Sequence, residues 1–335
     1  MKNKEQILLM EVCGTHTMSI ARFGIRSLIE PDIKIISGPG CPVCVTSASD
    51  IYNAIQLAKL DKVIIASFGD MLKVPCNDDN LMNYKNVRII YNTLDAVKLA
   101  IDNKDKEIVL LGVGFETTTP VIAAAIAKAH KLNISNFSVL CMNKLVPQAL
   151  DLIIRSDTNK VDGFLLPGHV AAVTGKCYFD FISQLGSCGV ISGFDANNIL
   201  SSIKILVELC RSGSKEVINN YMAVVSDKGN IKAQSLVKEI FEVYDAEWRG
   251  IGKIKGSGLK ISADYSKYDA KKKLGLKDVS IQDPSGCICG LVLMGVRPPK
   301  ECPLYAIKCT PSNPVGPCMV SSEGTCAAYY KYIGA

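Results

Sequence analysis

The strongest constraint on this chain is an alternation: from about residue 33 to 212, short β-rich apolar runs recur with helical patterns between them. The runs are Ile33 to Ile36, Val63 to Ala66, Val87 to Tyr91, Ile108 to Val113, Phe137 to Cys141, Gly163 to Leu166 and Gly189 to Ile191. Their starts lie roughly 20 to 30 residues apart, the length of a β-α unit, and unbroken apolar strands suit a parallel sheet covered on both faces. Ile51, Ala54, Ile55 and Ala58 share one helical face, as do Ile122, Ala125, Ile126 and Ala129 behind Pro120. Three helices in succession are expected next: Ala196 to Cys210, Lys215 to Val225 and Ile231 to Tyr244. The fold class predicted is α/β, with two doubly wound (Rossmann-like) parallel-sheet domains at 31–132 and 133–230. Near Trp248 the composition changes to a loop-rich tail holding seven of the 14 prolines. Such a tail builds little core of its own, and a metal cluster could hold it together.

Charge and hydropathy exclude several functions. Lys and Arg number 38 against 32 Asp and Glu, a net +6 spread thinly along the chain, so no basic arm for nucleic acid is present. Apolar runs such as Ile7 to Met10 and Ile108 to Phe115 are far shorter than the ~20 residues a membrane span needs. The N-terminal stretch has an h-region too short for a signal peptide and no small-residue cleavage site. No membrane association and a cytoplasmic location are expected.

In that compartment thiols stay reduced, so 14 cysteines cannot be a secreted disulfide framework. Cys76, Cys141, Cys177, Cys188 and Cys210 are scattered and read as small buried hydrophobes. Six others, Cys287, Cys289, Cys302, Cys309, Cys318 and Cys326, fall within 40 residues, which is a metal signal. Paired Cys-x2-4-Cys knuckles for zinc are missing, whereas an iron-sulfur cluster accepts thiolates from irregular loops. A structural zinc module remains the competing reading of the tail. Gly38-Pro-Gly-Cys41-Pro-Val-Cys44 stands where a strand ends and a helix should begin, so the dipole and free amides would lower the Cys41 pKa, as in a redox dithiol. Half a zinc site, or two packed thiols on a turn, is the alternative there. Cys13 and His16, three residues apart, can share one face of a helical turn and hold a metal together, or His16 can tune the thiolate.

The dinucleotide-like Gly112-Val-Gly-Phe-Glu-Thr117 lacks its third glycine, and Gly168 to Cys177 is too long for a P-loop, so neither supports nucleotide binding. Glu116 and His169 nevertheless stand just past predicted strand ends, where open α/β sheets place ligand clefts. A helix N-terminal charge and a hydrogen-bonded loop residue are their plain structural alternatives.

Taken together, Glu11-Val-Cys-Gly-Thr-His16, Gly38 to Cys44, Phe68-Gly-Asp70, Gly114-Phe-Glu-Thr-Thr118, Pro167-Gly-His169, Trp248-Arg-Gly-Ile-Gly252 and Cys318-Met-Val-Ser-Ser-Glu-Gly-Thr-Cys326 resemble the HypD family of NiFe-hydrogenase maturation proteins. The resemblance implies a third domain built from both chain ends, 1–30 with 231–335, around a 4Fe-4S cluster. It implies Cys289, Cys302, Cys309 and Cys326 as cluster ligands, with Cys287 and Cys318 left over. It further implies Cys13 as the thiolate holding the nascent iron with its cyanide and carbonyl ligands, and Cys41 with Cys44 as redox thiols. A HypC-like chaperone, a HypE-like cyanide donor and, indirectly, the hydrogenase large subunit are the implied partners. Met18, Ser47 and Cys76 depart from the family pattern; Met18 weakens any scheme needing two imidazoles beside Cys13. The same residues could instead serve a free-standing iron-sulfur thiol/disulfide oxidoreductase.

Overall fold

The computed structural model describes residues 6–157, 160–277 and 279–334. Two parallel sheets form its frame. The first has the order β2 (Ile33–Ser37), β1 (Ile7–Glu11), β7 (Gly163–Pro167), β8 (Gly189–Ser192), β9 (Val217–Asn219). The second has the order β4 (Val87–Ile89), β3 (Val63–Ser67), β5 (Glu107–Gly112), β6 (Phe137–Cys141). Strand pairing is parallel throughout both. Helices such as Ala48–Ala58, Thr119–Lys131 and Ala196–Ser212 cover them, each turning its apolar stripe to the sheet. The predicted α/β class with doubly wound character therefore stands.

Sheet membership redraws the expected boundaries. Ile7 to Met10 is a central strand, fully apolar because both its faces are covered. It pairs with β2 on one side and β7 on the other, so the first sheet joins residues 7–37 to 163–219, while β6 closes the second sheet. The sequence division at 132/133 and the assignment of residues 1–30 to the tail miss this. Residues 1–5, 278 and 335 of that expected unit lie outside the described residues.

Two expected helices are also corrected. Lys215 to Val225 is no helix: Val217 and Ile218 continue the sheet beside β8, and Asn219 and Asn220 turn the chain with their side chains. The Ile231–Ile240 helix stops four residues early, because Phe241 opens β10 (Phe241–Trp248), which pairs antiparallel with β11 (Gly252–Ile261). This ribbon lies against the second sheet, with Ile240, Phe241, Leu259, Ile261 and Tyr268 in the same core as Ile108, Leu110 and Phe137. The tail beyond it has short helices at Cys289–Leu293 and Thr325–Tyr332, the latter packed on Gly14–Arg22.

Where the loop after β10 meets the Cys289 helix, two backbones touch. A Cβ on Gly290 would lie 1.8 Å from the Gly250 oxygen. Gly290→Ala is therefore expected to destabilise the protein by about 2 kcal/mol or more in urea unfolding. Gly69→Ala, an exposed position with open space around it, should change stability by under about 1 kcal/mol. Equal effects would contradict the packing described.

Candidate functional site

In a doubly wound sheet the natural cleft opens at the carboxyl ends of the two strands between which the chain reverses direction. In the first sheet these strands are β1 and β7, whose ends are followed by Cys13 and by Gly168-His169. In the second they are β3 and β5, followed by Phe68-Gly-Asp70 and by Gly114-Phe-Glu116. The topology thus places four of the sequence motifs at two switch points.

Cys13 is the N-cap residue of the Gly14–Arg22 helix and is buried. Burial pushes its thiol up to about 12, against the opposing hydrogen bond from the His16 amide. Two residues before it, Glu11 is wholly buried; it accepts from the Cys13 amide (3.1 Å) and the Thr17 hydroxyl (2.5 Å), and burial raises its carboxyl to about 7. The backbone of Gly40 lies against Cys13: a Cβ there would sit 2.2 Å from the Cys13 nitrogen, and the Gly14 amide donates to the Gly40 oxygen (3.0 Å). Only glycine permits this approach.

That contact brings the Cys41 loop to Cys13. Cys41 and Cys44 are joined by a disulfide with their Cα atoms 5.3 Å apart, and both are buried (3% and 0% exposed). The helix that Cys41 caps and that contains Cys44, Pro42–Val45, is a single turn, with the Cys44 amide donating to the Cys41 sulfur (3.2 Å). One turn carries little of a macrodipole, so the dipole expected at Cys41 is weak.

His16 and His169 approach each other through a third ring. Phe194 stacks on His169 at 3.8 Å and on His16 at 4.7 Å between centroids. The buried His16 bonds through Nε2 to the Gly193 oxygen (2.8 Å), while Nδ1 has no partner. Burial lowers its pKa to about 4, so the ring is neutral near pH 7 and donates from Nε2. His16 therefore touches the Cys13 sulfur through its amide, and its imidazole faces Gly193 and Phe194. The pairing of thiolate and imidazole expected from their spacing is replaced by this arrangement. His169 is exposed on its outer side.

Glu116 ties two elements together: Oε1 accepts from the Val146 amide (2.9 Å) and the Tyr178 hydroxyl (2.6 Å), and Oε2 is buried without a partner. Burial raises it to about 6. Residues that sequence reasoning passed over complete the site. Glu323 accepts from the Thr15 hydroxyl (2.8 Å) and packs on Gly14, where a Cβ would meet its own Cβ at 2.4 Å. Two residues before it, the Ser321 hydroxyl donates to Asp70 (2.9 Å). The segment Cys318 to Cys326 thereby reaches both switch points, and the signal for it was the motif itself, not the partners 251 and 308 positions away.

The same segment closes a cavity. Cys287, Cys289, Cys302, Cys309, Cys318 and Cys326 all line it, with Ile288, Val292, Leu304, Tyr305 and Met319, and no charged side chain. Cys289 and Cys318 sulfurs lie 2.9 Å apart, and Cys309 sulfur accepts from the Val315 amide (3.3 Å). Cys287 and Cys318, which the resemblance leaves over, are as much part of the wall as the other four. Soft donors in a dry apolar wall fit an iron-sulfur cluster by donor chemistry. Among the described residues no three His, Cys, Asp or Glu side chains converge on a point where a single metal ion could sit. Nearby, the Pro42–Val45 turn packs on the turn Pro317–Met319. Of the five scattered cysteines, Cys76 and Cys188 are buried as expected, Cys141 and Cys210 are half-buried and Cys177 is exposed. Among the described residues no helix is long and apolar enough to cross a membrane.

Fold and site define a class: a two-sheet α/β protein whose cysteine-rich tail is folded onto the sheet switch points. The family model described as "HypD: Hydrogenase formation hypA family" matches residues 1–333. The chain is 40% identical over 341 residues to the hydrogenase maturation factor HypD of Azotobacter vinelandii, covering 98% of this chain and 90% of that one. It is 40% identical over 336 residues to the factor of the same name from Cupriavidus necator (96% and 89%), and 39% over 342 residues to that of Rhodobacter capsulatus (99% and 91%). The chain belongs to the HypD family, and its role is in hydrogenase maturation.

The raised Glu116 carboxyl predicts a pH dependence. Its folded pKa, about 6, exceeds the ordinary value of 4.5, so the native state favours the protonated form. The stability this lends is full below about pH 4.5 and is lost as pH rises through about 6, a change of about 2 kcal/mol. Comparing urea unfolding at pH 4 and 7.5, Glu116→Gln should lack that loss relative to the wild type. Parallel pH profiles would contradict it.

Proposed function

We propose that this chain is the thiolate scaffold on which the Fe(CN)2CO unit of NiFe hydrogenase is put together, working with a HypC-like chaperone and a HypE-like cyanide donor. The observation that carries the reading is the contiguity of three thiol groups: Cys13, the Cys41–Cys44 disulfide lying against it through Gly40, and the six-cysteine cavity beyond the Pro317–Met319 turn. Iron that bears strong-field ligands favours a soft thiolate donor, and Cys13 offers one at a sheet switch point. It gives up its proton when the cation arrives, since metal binding displaces a thiol proton even from a raised pKa. A HypC-like thiolate completes the hold on the cargo iron.

Cleaving cyanide from a thiocyanate consumes two electrons, which break the S–C bond and leave a thiolate and a cyanide ion. The Cys41/Cys44 dithiol supplies both electrons by closing to the disulfide, releasing two protons. Reopening the disulfide takes two electrons and two protons. Thiols of the cavity, with Cys289, Cys302, Cys309 and Cys326 as the principal ligands, would hold a 4Fe-4S cluster, which when bound supplies electrons one at a time. Glu11 and Glu323, whose carboxyls burial holds above their ordinary range, keep protons near Cys13. His16 fixes the helix start through Gly193, and His169 presents an exposed imidazole to a partner or substrate.

A free-standing thiol/disulfide oxidoreductase would use the same Cys41/Cys44 pair and cavity but has no need of Cys13. In Cys13→Ala, the absorbance of a bound cluster should persist while the cyanide and carbonyl infrared bands of the anaerobically purified complex disappear. Persistence of those bands would refute the role given to Cys13.

A further inference from the structure

Two cysteines outside the described site stand sulfur to sulfur. Cys188, immediately before β8, is fully buried, and its sulfur lies 3.7 Å from that of Cys210, near the end of the Ala196–Ser212 helix. The contact depends on Gly163 in β7, where a Cβ would lie 3.0 Å from each sulfur. Cys210 is half-buried and offers the pair its access to solvent. The bond between the thiols lowers the pKa of Cys188 and raises that of Cys210, and Lys215 places a positive charge beside both. The sulfurs need to close by about 1.7 Å to reach bonding distance.

We propose that Cys188 and Cys210 form a second oxidisable dithiol, which closes to a disulfide by exchange with a low-molecular-weight disulfide and clamps β8 to the helix that follows it. Cys210, the thiol nearer solvent, yields its proton to Cys188 across the sulfur contact and attacks the small disulfide, forming a mixed disulfide and expelling one thiolate. Cys188 then attacks the Cys210 sulfur and expels the second. Two protein thiols are oxidised by two electrons, and the small disulfide is reduced to two thiols. The bond closes an interval of 22 residues. That interval contains Gly193, whose oxygen holds His16, and Asn198, whose side chain accepts from the Gly193 amide (2.6 Å). It also contains Phe194, the ring between His16 and His169. The oxidised pair thus stiffens the mount of His16 from the far end of the strand, whether or not the chain serves as an assembly scaffold.

The test uses the full chain, purified anaerobically, treated with glutathione disulfide, alkylated and digested. A peptide cross-linked through Cys188 and Cys210 is expected in the wild type. In Cys188→Ser, glutathione should remain on Cys210 at a level at least roughly tenfold above the wild type, because the resolving thiol is gone. Amide exchange over residues 193–198 should slow in the cross-linked protein. Alkylation of both cysteines after treatment, or equal glutathione on Cys210 in both proteins, overturns the dithiol. Unchanged exchange in cross-linked protein overturns the clamp. Should the variant fail to fold, the wild-type peptide map alone decides.

Discussion

The arrangement around Cys13 depends on one steric fact, the contact of the Gly40 backbone with that of Cys13. Any side chain at Gly40 would drive β1 and the following turn away from the Cys41 loop. With the contact in place, the Cys41–Cys44 disulfide is fixed between Cys13 on one side and the Pro317–Met319 turn on the other. Similar glycine-only approaches continue the chain of contacts. Gly324 lies on the Cys318 backbone, Gly290 on Gly250 and Gly14 on Glu323. A tail with little core of its own is thus seated by backbone contact on two sheets that fold by ordinary hydrophobic burial.

Burial then sets the chemistry. The Cys13 thiol, the Glu11 carboxyl and the His16 ring are each displaced toward the neutral form by the same cause, removal from water. A neutral, dry setting stores protons and keeps bulk solvent from the Cys13 sulfur. It also strengthens any interaction made with a charge brought into it, because the screening of water is absent.

Much of the fold was legible because the strands of the parallel sheets are near-continuous apolar runs. The exceptions have physical reasons. Ile7 to Met10 is only a short run, and nothing local reveals that it sits in the middle of a sheet whose next members on either side begin at Ile33 and Gly163. β10 exposes Glu242 and Val243 side by side, which hides its strand character behind a helical pattern. At the site, Cys13, Cys41, Cys44 and the C-terminal cysteines were legible by type and spacing. The partners that shape them were not: Glu323 with Thr15, Asp70 with Ser321 and Phe194 with His16 meet only through tertiary contact.

The central claim is that the cysteine cavity and the Cys41–Cys44 disulfide form one electron path. It is tested most directly by giving cluster-loaded and cluster-free protein two reducing equivalents per chain under anaerobic conditions, then counting the thiols at Cys41 and Cys44 over time. The account predicts that the disulfide opens promptly only in the loaded protein. Opening at the same rate in both, or a disulfide left closed beside a reduced cluster, would contradict it.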